Sequence, residues 1–226
     1  MKQIKMIGVG GITTALLPFL CRFLNFEGDM VRITLIDGDE FEKKNAKRQS
    51  FQRIGNKAKV KAEELSQEFK NLSFRAVSEF LSEKNAGDFI QDGDIVFLGV
   101  DNHKTRKTVS DYCRTLSNIV VISGGNELTD GNVQVYVRKD DKDVTTPLTR
   151  FHPEIDNPQD RSPQEMSCEE RARQPESRQI LVTNMGAAWL MFVVFCLINE
   201  ERFDKLGEYY FDIIEGKVRK MERSAL

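Results

Sequence analysis

The stretch QIKMIGVGGITTALLPF, residues 3–19, decides how this chain folds. Residues 3–9 read as a short buried strand. Gly8, Gly10 and Gly11 close it, and an apolar helical segment, TTALLPFLCRFLNF, follows. A strand that ends on glycines and opens a helix is the first unit of a layered α/β sheet. Glycines there let the backbone approach a ligand, and the first amides of the helix point at an anion. A tight turn with no ligand has the same appearance. The third glycine of the dinucleotide fingerprint is absent, because Thr13 stands in its place, so helix and strand are expected to pack differently. Pro18 is tolerable if it falls in the first turns of the helix.

The same alternation runs outward from this unit. VRITLID (31–37) reads as a second strand, and AKVKAEELSQEFKNL (58–72) as a helix with Leu65, Phe69 and Leu72 on one face. SFRAVS (73–78) is a third strand. DIVFLGV (94–100) is apolar without interruption, as a strand covered on both faces should be. A helix over HKTRKTVSDYCRTL and a strand over NIVVISG (118–124) follow. Beyond residue 124 the character changes. NVQVYVR (132–138) alternates like an antiparallel strand, and 208–223 reads as a hairpin turning near Glu215 and Gly216. The expected fold is α/β: a Rossmann-like doubly wound sheet with a parallel N-terminal half and an antiparallel C-terminal half, in one domain over 1–226. Residues 152–179 hold four of the six prolines and few large apolar side chains, so they read as one long variable loop.

Composition sets limits. The chain has 226 residues, 40% apolar and 30% charged, with a net charge of −2. No broad basic field argues for nucleic acid as the main ligand. Cys21, Cys113, Cys168 and Cys196 are far apart, with no Cys-x-x-Cys pair, so no structural zinc is expected. No secretory signal is evident, and a reducing, cytoplasmic setting is the expectation. The apolar run at 185–199 is shorter than the roughly 20 residues a membrane span needs. It reads as part of a buried helix over 184–199, with Trp189, Met191 and Phe192 in the core.

The second strand leaves in an unusual way. LIDGDEFEKKNAKRQSF (35–51) ends an apolar run in Asp37 and Asp39, then turns dense in donors. A carboxylate at that point is placed to accept from a ribose, which suits NAD and ATP alike. Asn45, Arg48, Gln49 and Lys59 separate the two. A triphosphate carries about four negative charges and benefits from paired Arg and Lys, whereas a pyrophosphate is met mostly by amides. The bland alternative is a solvated basic loop.

Taken in order, GVGGIT, the D-x-D after strand two, N-x-x-R-Q, K-V-x-A and VDNHKTR resemble the ThiF/MoeB adenylyltransferases, the nucleotide-binding domains of ubiquitin-activating enzymes and their bacterial relatives. The resemblance runs from residue 4 to about 137, and more weakly beyond. It implies that ATP is bound with Asp37 on the ribose and Asp39 supporting the loop. Asn45, Arg48 and Lys59 would hold phosphates, with Gln49 beside them. Lys59 is preferred to Lys57 and Lys61 because it precedes Val60 and Ala62 in the K-V-x-A pattern. Asp101 would hold magnesium, with Asn102 and Arg106 anchoring the following helix. The implied reaction adenylates the terminal glycine carboxylate of a ubiquitin-like or sulfur-carrier protein, within a homodimer.

The chain also departs from that family. An arginine upstream of the first strand is missing, where only Lys2 and Lys5 stand, and the zinc-binding cysteine pairs are absent. Cys168, in the long loop, is the thiol to expect for a thioester or persulfide step. The other three cysteines read as core. His103 reads as a helix-start residue, and nothing marks a partner for His152. Competing readings are a tRNA-modifying dehydratase that adenylates a small carboxylate, a NAD-dependent oxidoreductase lacking an evident hydride-transfer site, and a nucleotide-binding scaffold whose catalysis has lapsed.

Overall fold

The computed structural model describes residues 1–28, 30–161 and 181–223. One nine-stranded sheet runs through both halves of the chain, in the order β11-β10-β8-β7-β6-β1-β2-β5, with β9 paired to β8. Its parallel half holds β1 (Lys2–Ile7), β2 (Val31–Ile36), β5 (Ser73–Val77), β6 (Ile95–Leu98) and β7 (Ile119–Asn126). The antiparallel half adds β8 (Asp130–Lys139), β9 (Lys142–Asp143) and the hairpin β10 (Glu208–Asp212) and β11 (Lys217–Met221). A separate two-stranded ribbon joins β3 (Glu40–Phe41) to β4 (Gly55–Asn56).

Period-2 alternation divides each strand between two cores. Ile4 and Met6 of β1, Phe97 of β6 and Val133, Val135 and Val137 of β8 face one layer. That layer is built by α1 (Gly11–Glu27), α2 (Lys57–Glu68) and α6 (Leu181–Asn199). Ile7, Val96, Leu98 and Tyr136 face the opposite layer, with α3 (Ala86–Phe89) and α4 (His103–Cys113). A short α5 (Pro153–Asp156) lies beside α4. The expected mixed sheet is therefore observed.

Three expectations are corrected. Pro18 is the eighth residue of α1, beyond its first turns, and the helix continues through it with the ring on the exposed side. The helix expected over 58–72 ends at Glu68, yet Leu65, Phe69 and Leu72 all remain buried. Trp189 is not core: it is 55% exposed on α6, while Met191 is buried and Phe192 half-buried. Cys21 and Cys113 are buried as expected, and burial pushes both thiols up to about 12. Cys196 is only partly buried.

The strand order places a crevice. From β1 the chain builds outward through β2 and β5, then returns to the other side of β1 for β6 and β7. The order reverses between β1 and β6, and open α/β sheets bind ligands at the carboxyl ends of strands at such a point. Gly8 and Gly99 sit there, with Gly8 N–H donating to Ile36 O and Gly99 N–H to Ile7 O.

Candidate nucleotide site

The glycine loop is shaped by close approach. Gly8 has φ of +82°, and a Cβ on it would stand 2.8 Å from Val100 Cγ1 and 2.9 Å from Gly99 O. A Cβ on Gly11 would stand 2.3 Å from Asn184 Nδ2. Thr13, in the place of the missing third glycine, donates to Gly8 O at 2.6 Å. The room it needs comes from the other side, since a Cβ on Gly99 would stand 2.5 Å from Thr13 Oγ1. The space a helix glycine would have left is provided at the end of β6.

The N-terminus of α1 differs from those of α2 and α4. Asn56 caps α2 by accepting from Lys59 N, and Asn102 caps α4 by accepting from Thr105 N. The Asp160 carboxylate further accepts from His103 N at 2.6 Å and Lys104 N at 3.0 Å. At α1 the cap position is Gly10, with no side-chain cap and no acidic residue in the first turn. These amides suit an external anion.

Acidic and basic groups gather beside that terminus. Asp37 is buried, with Oδ2 accepting from Val9 N at 2.7 Å and Oδ1 from Asp39 N at 2.8 Å. Burial pushes its carboxyl above the usual range, against the opposing pull of Lys57. Lys57 is itself buried, with Nζ 3.2 Å from Asp39 Oδ2. Asn56 Nδ2 donates to Asp37 O at 2.9 Å and Asp39 O at 3.1 Å, tying the end of β2 to the start of α2. Lys59 does not join this group. Its side chain is exposed, and Lys61 instead pairs with Glu64. The sequence pattern favoured Lys59, but the geometry brings Lys57 to the carboxylates.

The donor loop closes on the same place. Asn45 lies in a 3-10 turn, where its Oδ1 accepts from Glu42 N at 3.2 Å, so its carboxamide shapes the turn. Arg48 N and Gln49 N both donate to Asn45 O at 3.0 Å. Arg48 is half-buried, and its carbonyl accepts from Asn184 Nδ2 at 3.1 Å. Gln49 is buried, has no partner for Oε1, and brings Nε2 within 3.9 Å of where a Cβ on Gly10 would lie. Gln49 thus turns Nε2, a donor, toward the uncapped helix start, where it suits a phosphate, while its bare Oε1 is an acceptor that only a donor could satisfy.

Asp101 stands across the crevice, exposed, just before α4. The buried Arg106 behind it donates to Ser123 Oγ, Val100 O and Gly124 O at 2.5, 2.7 and 2.8 Å. Burial lowers Arg106 to about 10, opposed by Asp101 and Asp160. Arg106 and Asn102 thus anchor α4, as expected, and His103 is its first residue. Among the described residues no group of three His, Cys, Asp or Glu could hold a metal. A single carboxylate still fits magnesium, which keeps several waters and takes its remaining ligands from phosphates.

Asp101 and Arg106 also open onto a cleft of about 720 Å³ over the antiparallel half of the sheet. His152, given no partner by the sequence, is held between Glu208 and Glu154, with Nδ1 2.8 Å from Glu154 Oε1. Cys168 lies outside the described residues.

Sequence reasoning missed Lys57, Asn184 and Asp160. The polar pair Thr183–Asn184 at the head of an apolar helix was a signal for the second. Nothing in the sequence marked Asp160.

Comparison with known proteins agrees with this geometry. The ThiF family model matches residues 2–209. The tRNA threonylcarbamoyladenosine dehydratase of Haemophilus influenzae is 29% identical over 152 residues, covering 65% of this chain and 56% of that protein. MccB of E. coli, in a crystal structure with ATP, superposes with a TM-score of 0.74 at 18% identity, over 99% of this chain and 64% of that one. The crystal structure of PaaA superposes at 0.71 and 19% identity, over 100% of this chain and 65% of that one. The chain thus spans less than two-thirds of the length of each of these relatives. The match across nearly all of its sequence, on this strand order and glycine loop, makes the chain a member of the ThiF family.

Proposed function

We propose that the protein uses ATP to adenylate the terminal glycine carboxylate of a small ubiquitin-like or sulfur-carrier polypeptide. The observation that carries the reading is the uncapped start of α1, with the Asp37 carboxylate on Val9 N, the Gln49 carboxamide beside Gly10, and Lys57 paired to Asp39 next to Asp37. Family membership supports adenylation, and MccB, a neighbour in fold, has been crystallised with ATP and with a peptide.

In the reaction a carboxylate oxygen forms a bond to the α-phosphorus, and the bond from that phosphorus to the pyrophosphate oxygen breaks. The carboxylate is already an anion, so no general base is required. The barrier is one anion approaching another. Asp37 accepts from the ribose, the α1 amides and Gln49 orient the phosphates, and Arg48 and Lys57 offset their charge. Asp101 would hold magnesium, which adds positive charge at the phosphates. Such fixed charges cost no reorganisation when charge moves to the leaving group.

Removing one of them typically costs about 10²–10³ in rate, or roughly 3–4 kcal/mol. Arg48→Ala and Asp101→Ala should each slow carboxylate-dependent ATP–pyrophosphate exchange by about that factor. Exchange at the wild-type rate in both would remove the assignment. Transfer of the acyl group to Cys168 belongs to the same reading, and undiminished transfer in Cys168→Ser would exclude it. A homodimer is part of it as well.

A second reading, adenylation of a carboxylate on a modified tRNA, is favoured by the dehydratase relative. Exchange stimulated by modified tRNA, and by no carrier polypeptide, would select it. The net charge of −2 weighs the other way.

A further inference from the structure

Asn56 uses every hydrogen-bonding position of its side chain. Nδ2 donates to Asp37 O at 2.9 Å and to Asp39 O at 3.1 Å. Oδ1 accepts from Lys59 N at 3.1 Å and from Ser78 Oγ at 3.0 Å. The partners lie in the turn after β2, the first turn of α2 and the segment after β5. An asparagine amide has two donors and an oxygen with two lone pairs, so none is left over. Capping α2 accounts for only one of these bonds. Serine, threonine and aspartate cap helices as well, but none of them can also donate twice. A lysine could donate, but it could not accept from Lys59 N, and it would add charge beside Lys57.

The carbonyls that Asn56 holds bracket the turn bearing the carboxylate assigned to the ribose. In that turn Asp37 Oδ1 accepts from Asp39 N at 2.8 Å, and Oδ2 accepts from Val9 N at 2.7 Å. Each oxygen keeps a second lone pair for a hydroxyl. The turn is also pressed against Phe80, since a Cβ on Gly38 would stand 2.6 Å from its ring. Lys57, the next residue after Asn56, donates its backbone N–H to Asp39 O at 2.9 Å and pairs Nζ with Asp39 Oδ2 at 3.2 Å. Asn56 therefore sets both the direction of the Asp37 carboxylate and the place of Lys57 beside it.

Resting on the adenylation reading, we infer that Asn56 is a positioning residue for the ribose. It acts through the Asp37–Asp39 turn, aiming the Asp37 carboxylate at the ribose hydroxyls. A carboxylate selects a hydroxyl only when it is held in place, because one on a loose turn finds water instead and loses selectivity. The amide is neutral, so it fixes the turn without changing the charge balance among Asp37, Asp39 and Lys57.

The test compares ATP with 2′,3′-dideoxy-ATP, which lacks both ribose hydroxyls, by isothermal titration calorimetry on the whole protein. The wild type should bind ATP about tenfold or more tightly than the analogue, as hydrogen bonds to a carboxylate give. Asn56→Asp keeps an acceptor for Lys59 N and Ser78 Oγ, so α2 stays capped, but it turns a carboxylate on the two carbonyls. Its preference for ATP should fall to about threefold or less, because the hydrogen bonds to the hydroxyls are no longer aligned. Asn56→Ser also caps, and it is too short to hold both carbonyls, so it should show the same collapse. It decides the matter if circular dichroism shows Asn56→Asp unfolded. A residue that only capped α2 would leave the ratio unchanged, even where both affinities drop. If the wild type prefers ATP and the ratio survives in either folded variant, the inference alone fails. If the wild type binds the two nucleotides equally, the ribose role of Asp37 fails and takes the inference with it. If it binds neither, the nucleotide reading itself fails.

Discussion

Lys57 and Lys59 are two residues apart and face opposite ways, because each helical step turns the side chain by about 100°. Lys57 opens α2 on the side of β2, where Asp37 and Asp39 wait, and it is buried there with its charge matched. Lys59 projects into solvent. A buried lysine is retained only when anions hold it, and the Asp39 ion pair with the buried Asp37 beside it supplies them. In the proposed reading, the phosphate chain is a further anion for it. Lys57→Ala should therefore reduce ATP–pyrophosphate exchange by about 10²-fold or more, while Lys59→Ala stays within about threefold, as exposed substitutions do. The opposite ranking would return the role to Lys59. The expectation of Lys59 and the geometry at Lys57 part for a physical reason: a run of alternating lysines is decided by helix phase, and phase depends on where Asn56 caps the helix. Asp37, Arg48, Gln49 and Asp101 could be proposed from sequence because the end of a strand and the start of a helix are marked by residue type.

At the scale of elements, legibility followed burial. β6 is an unbroken apolar run and β1, β2 and β7 are apolar with few polar interruptions, as largely covered strands are, and each was expected within a residue or two of where it lies. β3, β4, α3 and α5 have two to four residues each, too few for any period to show. α6 was recognised as an apolar helix, but its role at the site was hidden. Asn184, fully buried in its first turn, contacts the glycine loop, the Arg48 carbonyl and Asn126 at once. Asn184→Ala strands those groups, so a loss of about 1–3 kcal/mol in unfolding free energy is expected. It should also raise the KM for ATP, because the Arg48 loop loses its tether. Chemical denaturation and steady-state kinetics measure the two, and an unchanged KM in a destabilised variant would leave Asn184 a structural residue only. The outer side of the same helix carries Leu181, Met185 and Trp189, all about half exposed and spaced four apart. If that stripe is the homodimer face, Trp189→Glu should turn a dimer into a monomer by light scattering on a sizing column. Identical masses for the two proteins would dismiss the stripe as the face.

The whole molecule is built on one main sheet whose two halves frame different hollows: the parallel half ends at the crevice between β1 and β6, and the antiparallel half floors the cleft lined by Asn132 and Gln134. His152 fastens the start of α5 to that floor. It is buried between Glu208 on β10 and Glu154, and Arg223 approaches Glu208 Oε2 at 2.8 Å from beyond β11. Burial alone would lower the imidazole, but hydrogen bonds and charge from Glu208 and Glu154 outweigh it, and the net shift is above 6.5. Glu208 is likewise shifted below 4.5: burial opposes the shift, but His152 and Arg223 prevail. The signs then set a window. A raised His contributes stability that is whole below its unfolded value and is lost as pH climbs through the folded one. A depressed Glu contributes stability that is whole above its unfolded value and is lost as pH falls through the folded one. Both contributions are complete only between the two ordinary values, 4.5 and 6.5. Thermal unfolding followed from pH 6 to pH 8.5 should therefore show the wild type losing Tm relative to His152→Gln, in which the titrating group is gone while a donor to Glu208 remains. Arg223 keeps its charge throughout, so the residual pairing to Glu208 should be flat over that range. If the two Tm curves run parallel across the interval, the imidazole is not protonated by its carboxylates, and the fastening of α5 to the sheet is a neutral hydrogen bond.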